Sequence, residues 1–352
     1  MNALTIGVIG AGRVGAVLGA ALNAAGHRVV AAAAVSAASR ERAARLLPDA
    51  AVLPADEVAR AAIDLLLLAV PDDTLAAVVA GLDRTGALRA GQVVAHTSGA
   101  HGLAVLGDVN GMALHPAMTF TGADSDLDRL PGIAWGVTAP DRVFATRLVA
   151  DLGGVPEWIA EESRPVYHAA LAHGANHLVT LVNEAADVLR AAGVGEPGRV
   201  LAPLLTAALD NALRMGDAAL TGPVSRGDAG TVAKHLDRMP ADAVPAYLAM
   251  ARRTADRAIA SGRLRPHDAT ALLDVLAQAA ENGTENLVGG SNAAVTSAAV
   301  TSATMSSVTG SRVAESLVAG QRGGDSPAAA ERAAGDITQS AASRRNTVGS
   351  NA

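Results

Sequence analysis

The 352-residue sequence has no cysteine, a single lysine (Lys234), and no long run of apolar or basic residues. Without cysteine there can be no disulfide, thiol nucleophile or zinc–thiolate site, which fits a cytoplasmic protein without requiring one. Half the residues are hydrophobic. Their runs are nonetheless broken by glycine or charge well before the ~20 residues that a membrane-spanning helix needs. No basic segment precedes the first apolar run, so no secretory signal is expected. A net charge of −6 without a basic cluster argues against nucleic acid as a partner. There is no internal repeat. The length exceeds the roughly 150 residues of one domain, so two domains and a tail are expected.

Against these absences stands the stretch Ile6-Gly7-Val8-Ile9-Gly10-Ala11-Gly12-Arg13-Val14-Gly15. Thr5 to Ile9 reads as a short buried strand, and Val14 to Ala25 as a helix closed by Gly26. Gly10, Gly12 and Gly15 fit G-x-G-x-x-G. The first permits a tight turn, the second lets backbone approach a pyrophosphate, and the third lets helix pack on strand. The free N–H groups at the helix start, around Arg13 and Val14, then face the phosphates. An alanine- and glycine-rich chain also produces this spacing as a plain structural turn, but the strand before it and the helix after it favour a dinucleotide site.

Arg28 to Val35 is a second parallel strand. An NAD site usually places a carboxylate about 20 residues past the glycines. Here Ser36, Ser39 and Arg40 stand instead, suited to a 2′-phosphate, and the expected cofactor is NADP(H). The alternative is that Ser39 only caps a helix from Arg40 to Leu47. Leu65 to Val70 reads as a strand covered on both faces, stopped by Pro71. Val93 to Ala95 forms another, before His96-Thr97-Ser98-Gly99. Ligands of open parallel sheets gather outside the carboxyl ends of the strands. Val70, Pro71, His96 and Ser98 are therefore expected to border the cofactor, through backbone more than side chains. Met112 to Leu114, Ile133 to Thr138 and Glu157 to Ile159 complete the sheet, with a helix over Asp141 to Leu152. The fold class is α/β: a Rossmann parallel-sheet domain over 1–160.

From Ser163 the pattern is helical alone. Ser163 can cap a segment with Pro165 in its first turn, running to Ala192 before Gly193. At ~100° per residue, Leu171, Leu178, Val182, Ala185 and Leu189 share one face, and His173, Asn176, His177, Thr180, Glu184 and Asp187 the opposite one. The polar stripe is a solvated face, a wet cleft or a subunit interface. Val200 to Leu213 is the next amphipathic helix. A loop over Leu220 to Asp228 follows, in which Asp228 can cap a helix, and helices over Asp242 to Ala260 and His267 to Ala280 end an all-helical domain spanning 161–286. Residues 287–352, rich in Ser, Thr, Ala and Gly and without an aromatic residue, are expected to form a disordered low-complexity tail. His173 and His177 are four apart, as in helical zinc pairs. Glu184 lies nearly two turns further on, so no metal is expected.

The segments Gly10-Ala-Gly-Arg-Val-Gly15, Ala69-Val-Pro-Asp72, His96-Thr-Ser-Gly99, His115-Pro-Ala-Met-Thr-Phe120, Tyr167-His168 with Asn176-His177-Leu178, and Leu220-Thr-Gly-Pro-Val-Ser-Arg-Gly-Asp228 are taken together. In order and spacing, over about 1–280, they resemble Rossmann-like proteins whose C-terminal part is domain of unknown function 2520. That family resembles a branch of the superfamily in which an NADP-binding domain is joined to a helical one, as in 6-phosphogluconate dehydrogenase, pyrroline-5-carboxylate reductase and ketopantoate reductase. Some members are similar to an alternative ketopantoate reductase, which implies reduction of 2-dehydropantoate to pantoate in pantothenate biosynthesis. In the lysine-dependent members, a helix after the Rossmann domain carries lysine four residues before asparagine, and that lysine protonates the substrate oxygen. Asn176 matches the asparagine, but Ala172 stands in the lysine's place.

Reduction of a keto acid asks for a positioned nicotinamide, a donor for the carboxylate and a proton donor for the developing alkoxide. An imidazole can supply the proton. His168 and His173 lie on either side of Asn176, about 80° and 60° from it on a regular helical wheel. The resemblance favours Tyr167 and His168, which belong to a matching segment. Either histidine can instead be structural. His115, with Thr119 beyond it, is expected at the substrate, unless it only bonds backbone before Pro116. Arg226 is the expected partner of the carboxylate, with a surface turn as its alternative. The expectation is an NADPH-dependent reductase of a small keto acid, a homodimer through its helical domain. Two alternatives stand: a reductase of an imine or another small carbonyl acid, and a non-catalytic dinucleotide-binding sensor or assembly protein, which the missing lysine keeps open.

Overall fold

The computed structural model describes residues 2–289, with side chains through Asn282. The first part runs β1 (Thr5–Ile9), α1 (Arg13–Ala24), β2 (Arg28–Ala33), α2 (Ala37–Leu46), β3 (Ala51–Val52), α3 (Ala55–Ala61), β4 (Leu65–Leu68), α4 (Asp72–Arg84), β5 (Val93–His96) and β6 (Gly111–Pro116). After these come β7 (Ala134–Thr138), α5 (Arg142–Asp151) and β8 (Val155–Trp158). They build one eight-stranded sheet in the order β3-β2-β1-β4-β5-β6-β7-β8.

Strands β1 to β6 are parallel, β7 is antiparallel to β6, and β8 is parallel to β7. The reversal at β7 follows from its connection. Only a short helical turn at Asp124–Arg129 separates β6 from β7, whereas parallel neighbours are usually linked by a full crossover helix. Side chains alternate across the central strands, so both faces bury apolar groups. Ile6, Val8, Leu65 and Leu67 pack with Val17 and Leu18 of α1, and Ile9, Leu66 and Leu68 with Val58 of α3 and Leu75 of α4. The short β3 and α3 are additions to the sequence reading, too brief to show a period.

The helical part begins with α6 (Arg164–Leu171) and α7 (His177–Ala191), joined by a π-helical turn at Ala172–Asn176. A π turn widens the helix by one residue. The regular wheel relating His168 and His173 to Asn176 therefore does not hold across it. There follow α8 (Pro197–Met215), α9 (Gly222–Ser225), α10 (Ala229–Arg238), α11 (Val244–Ala260) and α12 (Pro266–Gly289).

The last four helices share a core of Val224, Val232, Ala251, Ala255, Leu264, Leu272 and Leu276. The α7–α8 pair is different: α7 buries no residue, and α8 buries only Pro197 and Leu201. α12 continues past the expected end at Ala280, and the rest of the expected tail, 290–352, lies outside the described residues. No helix among the described residues is long and apolar enough to cross a membrane.

Candidate active site

The three glycines of the first turn do three different things. Gly10 has φ +93°, a conformation that side chains rarely adopt, and a Cβ there would lie 2.5 Å from the Ala69 carbonyl oxygen beyond β4. A Cβ at Gly15 would overlap the Gly10 carbonyl oxygen, so this glycine lets α1 close on β1. At Gly12 a Cβ would meet nothing nearer than 3.9 Å. No protein contact demands glycine there, and the open backbone is what the approach of a pyrophosphate requires.

The start of α1 has no side-chain cap and no acidic residue in its first turn. The N–H groups of Arg13, Val14 and Gly15 find no acceptor among the described residues. Unpaired donors at the positive end of a helix dipole make a site for an anion. Val70 adjoins the turn, its Cγ1 lying 3.2 Å from the Cβ position of Gly10, and Pro71 follows it in the chain.

At the end of β2, Ser36 caps α2 by accepting from the Ser39 N–H at 3.1 Å. The Ser39 hydroxyl is buried and donates to the Ser36 carbonyl at 2.8 Å. The cap is thus Ser36, and the Ser39 hydroxyl is engaged with Ser36. Arg40 is exposed and bonds the Val35 carbonyl.

Two further cations meet nearby. A Cβ at Gly122 would lie 2.8 Å from Arg42 Nε and 3.0 Å from Arg13 Cγ, so both side chains converge on that loop. Arg42 was invisible as a site residue in the sequence, because only the return of the β6–β7 loop brings Gly122 to it. That loop is fixed by buried Asp126, which accepts from Thr121 N–H (2.8 Å), Thr121 hydroxyl (3.0 Å) and Gly122 N–H (2.7 Å). Burial pushes the Asp126 carboxyl up, but these bonds outweigh it and hold the group below the usual carboxylate range.

The tip of β5 is built from buried polar groups. His96 is fully buried, with Nδ1 at 3.2 Å from the Ser98 N–H and Nε2 at 2.9 Å from the Gly102 carbonyl. Both nitrogens are engaged within its own loop, and burial lowers its pKa to about 4. Ser98 is buried too, its hydroxyl accepting from the His101 N–H. The side chains of His96 and Ser98 are therefore structural, and a ligand at this tip meets backbone.

Arg164, at the start of α6, is fully buried and ties three elements together. It donates to the Ser98 carbonyl at 2.7 Å, the Thr138 hydroxyl at 3.0 Å and the Gly136 carbonyl at 3.4 Å. It has no carboxylate within salt-bridge distance among the described residues, and its buried Nε has no partner. Glu161 accepts from the N–H groups of Leu103 (2.7 Å) and Ala104 (3.0 Å), latching the loop after β5 to the start of the helical part.

Beside this clamp lies a cluster of side chains from two parts of the chain, β6 and α6. His115 Nδ1 is 2.9 Å from the Tyr167 hydroxyl. The His115 ring meets those of Tyr167 and His168 edge to face, at centroid distances of 5.6 and 5.9 Å. Two glycines make room: a Cβ at Gly99 would lie 2.6 Å from His168 Cδ2, and one at Gly136 2.5 Å from the Tyr167 oxygen. Burial, then the neighbouring His168 and Arg164, lower the His115 pKa to about 4, so it is neutral near pH 7.

The cluster stands at the carboxyl end of β6, two strands from β4 and hence about 10 Å along the sheet edge from its tip. His115, Tyr167 and His168 are thus brought together. Asn176 and His173 are exposed on the π turn and touch none of these groups; His173 pairs instead with His177, Nδ1 to Nδ1, at 2.9 Å. Thr119 is exposed. Arg226 is exposed where α9 ends, and it is not in the cluster either.

Comparison with known proteins places this geometry. Residues 1–117 match the model of the Rossmann-like domain and residues 133–254 that of the domain of unknown function DUF2520. No curated protein matches the chain. Among solved structures it is similar to a Bacteroides fragilis protein assigned as an NADP oxidoreductase, with 22% identity and a TM-score of 0.63 over 72% of this chain and 98% of that one. An imine reductase from Pseudomonas sp. is 21% identical, with a TM-score of 0.54 over 74% and 99% of the two chains. A 1-pyrroline-5-carboxylate reductase from Streptococcus pyogenes is 15% identical, with a TM-score of 0.52 over 75% and 99%. At these identities the likeness is one of fold. The chain is a Rossmann-like protein whose second part is a DUF2520 domain.

Proposed function

We propose that the protein is an NADPH-dependent reductase of a small keto acid, with 2-dehydropantoate as the first substrate to test. One observation carries the reading: an open, uncapped helix start behind Gly12 and the His115–Tyr167–His168 cluster share one edge of one sheet. A dinucleotide with its pyrophosphate on Gly12 and the N–H groups of Arg13 to Gly15 would extend along the strand tips, past Val70 and Pro71, toward the cluster. When bound, its reduced nicotinamide supplies hydride. Arg13, Arg40 and Arg42, with Ser36, favour a 2′-phosphate over a bare ribose, since no carboxylate stands at the end of β2. Arg226, exposed at the end of α9 and outside the cluster, is kept as the candidate cation for the substrate carboxylate on its place in the sequence pattern alone.

The test follows the absorbance of NADPH on mixing with 2-dehydropantoate and, separately, with 1-pyrroline-5-carboxylate. Oxidation with the first is expected. Oxidation with the second alone moves the substrate to an imine, as the names of two structural neighbours would have it. The non-catalytic reading is favoured by Ala172 and the exposed Asn176. Tight binding of NADPH without oxidation by any keto or imino acid would support it and contradict the reductase.

The proposal includes a homodimer through the helical part. Leu204, Leu209 and Leu213 on α8 are 63, 50 and 79% exposed and α7 buries no residue, so the pair carries apolar surface that a second copy of the chain would cover. Sedimentation should show a dimer that Leu204→Glu converts to monomer, and a monomeric wild type would contradict it.

A further inference from the structure

The site poses a chemical problem that the fold itself answers. The position of the lysine that the resemblance implies is Ala172, and the two candidate histidines are separated, His168 lying against His115 and His173 pairing with His177. A carbonyl or imine that accepts hydride still needs a proton on its oxygen or nitrogen. The buried cation Arg164, meanwhile, has no carboxylate within salt-bridge distance and an unpaired Nε among the described residues. A buried charge is tolerated when an opposite charge or sufficient hydrogen bonds answer it. Its guanidinium carbon is 6.0 Å from the centre of the Tyr167 ring.

We infer that Tyr167 is the catalytic proton donor of this site, with His115 and Arg164 as positioning residues that stabilise its phenolate. The inference rests on the reductase reading for its reaction, but not for its spectroscopic test. As the substrate carbon accepts hydride, its π electrons pass to oxygen or nitrogen. The Tyr167 O–H bond breaks, the proton moves to that atom, and a phenolate remains until solvent reprotonates it. With the one proton of neutral His115 assigned to Nδ1, the 2.9 Å contact is a donation to the Tyr167 oxygen. That leaves the hydroxyl hydrogen free for the substrate and strengthens as the phenolate forms. Arg164 becomes the counter-charge at the same moment. Gly136 is part of the device, because any side chain there would displace the hydroxyl.

The charged and titratable groups around Tyr167 are Arg164 and His168 on its own helix and His115 on β6, with Glu161 and Asp72 acting on Arg164 from further away. Burial raises the Tyr167 pKa and Arg164 opposes the rise.

The chain has only two tyrosines. In a Tyr247→Phe background, the ultraviolet absorbance of phenolate therefore titrates Tyr167 alone. Adding His115→Phe, which keeps a ring and removes the donor, should raise the midpoint by about one unit. An unmoved midpoint overturns the inference. In turnover, Tyr167→Phe should lower kcat by about 100-fold or more while NADPH affinity is unchanged. Near wild-type kcat in Tyr167→Phe overturns it, and in that case loss in His168→Ala would assign the proton to His168. A wild type that does not oxidise NADPH counts against the reductase reading alone, since the titration needs no substrate.

Discussion

The glycine turn at Gly10–Gly15 and the cluster around Tyr167 lie on the same edge of one sheet and are made in opposite ways. The turn is local: six consecutive residues, positioned by backbone, with one glycine for a dihedral angle, one facing open space and one for packing. The cluster is assembled at long range: Gly99, His115, Gly136, Tyr167 and His168 meet only because α6 returns across the ends of β5 to β7, pinned there by buried Arg164. In the proposed function the first is a place to bind and the second a place to react. If that proposal holds, the cofactor contacts sit in a local motif while the chemistry depends on how the helical part meets the sheet.

The largest effect should come from Gly15→Ala, whose methyl overlaps a backbone oxygen that cannot move without opening the turn. A loss of about 3 kcal/mol or more is expected by urea denaturation. Gly12→Ala should differ sharply. The methyl meets open space, so the denaturation midpoint should hold while NADPH affinity falls at least about tenfold, or about 1.4 kcal/mol. Equal destabilisation by the two variants would remove the distinction between a structural and a ligand-facing glycine. On the other side of the comparison, Gly136→Ala should press on the Tyr167 hydroxyl and reduce turnover while leaving NADPH binding intact. If it weakens NADPH binding instead, cluster and turn are not separable.

Asp126 gives a smaller, pH-dependent effect on the loop that holds Arg13 and Arg42. Its folded-state pKa is depressed, so its stabilising contribution is present above about pH 4, the ordinary aspartate value, and is lost as pH falls through the folded value. Asp126→Ala should cost about 1–2 kcal/mol at neutral pH. On acidification the stabilities of variant and wild type should converge; a constant difference down to low pH would show that the carboxylate's charge is not what holds the loop. Least of all, Ser36→Ala should lose about 1 kcal/mol with the cap of α2.

The contrast between the two regions also explains what the sequence could reveal. The strand at Thr5–Ile9, the glycine turn and α1 were legible because strand period, glycine spacing and helix propensity agree within twenty residues. The cap at the end of β2 was misplaced by three residues: Ser36 and Ser39 are equivalent as local signals, and only the start of α2 at Ala37 selects between them. The wheel relating His168, His173 and Asn176 failed for a reason no propensity encodes, a π turn inside a helix that otherwise reads as continuous. His115 and Tyr167 were both visible as candidates, but their hydrogen bond spans 52 residues. Arg164 carried no signal beyond an arginine before a proline. Its role becomes apparent only once Ser98, Gly136 and Thr138 surround it.

The most direct test of the central claim is the absorbance of NADPH at neutral pH with the wild-type protein, 2-dehydropantoate and 1-pyrroline-5-carboxylate, compared with NADH under the same conditions. Oxidation of NADPH in preference to NADH with one of these substrates is predicted. Stable absorbance of both cofactors, with either substrate and with a wider set of small keto and imino acids, would contradict it.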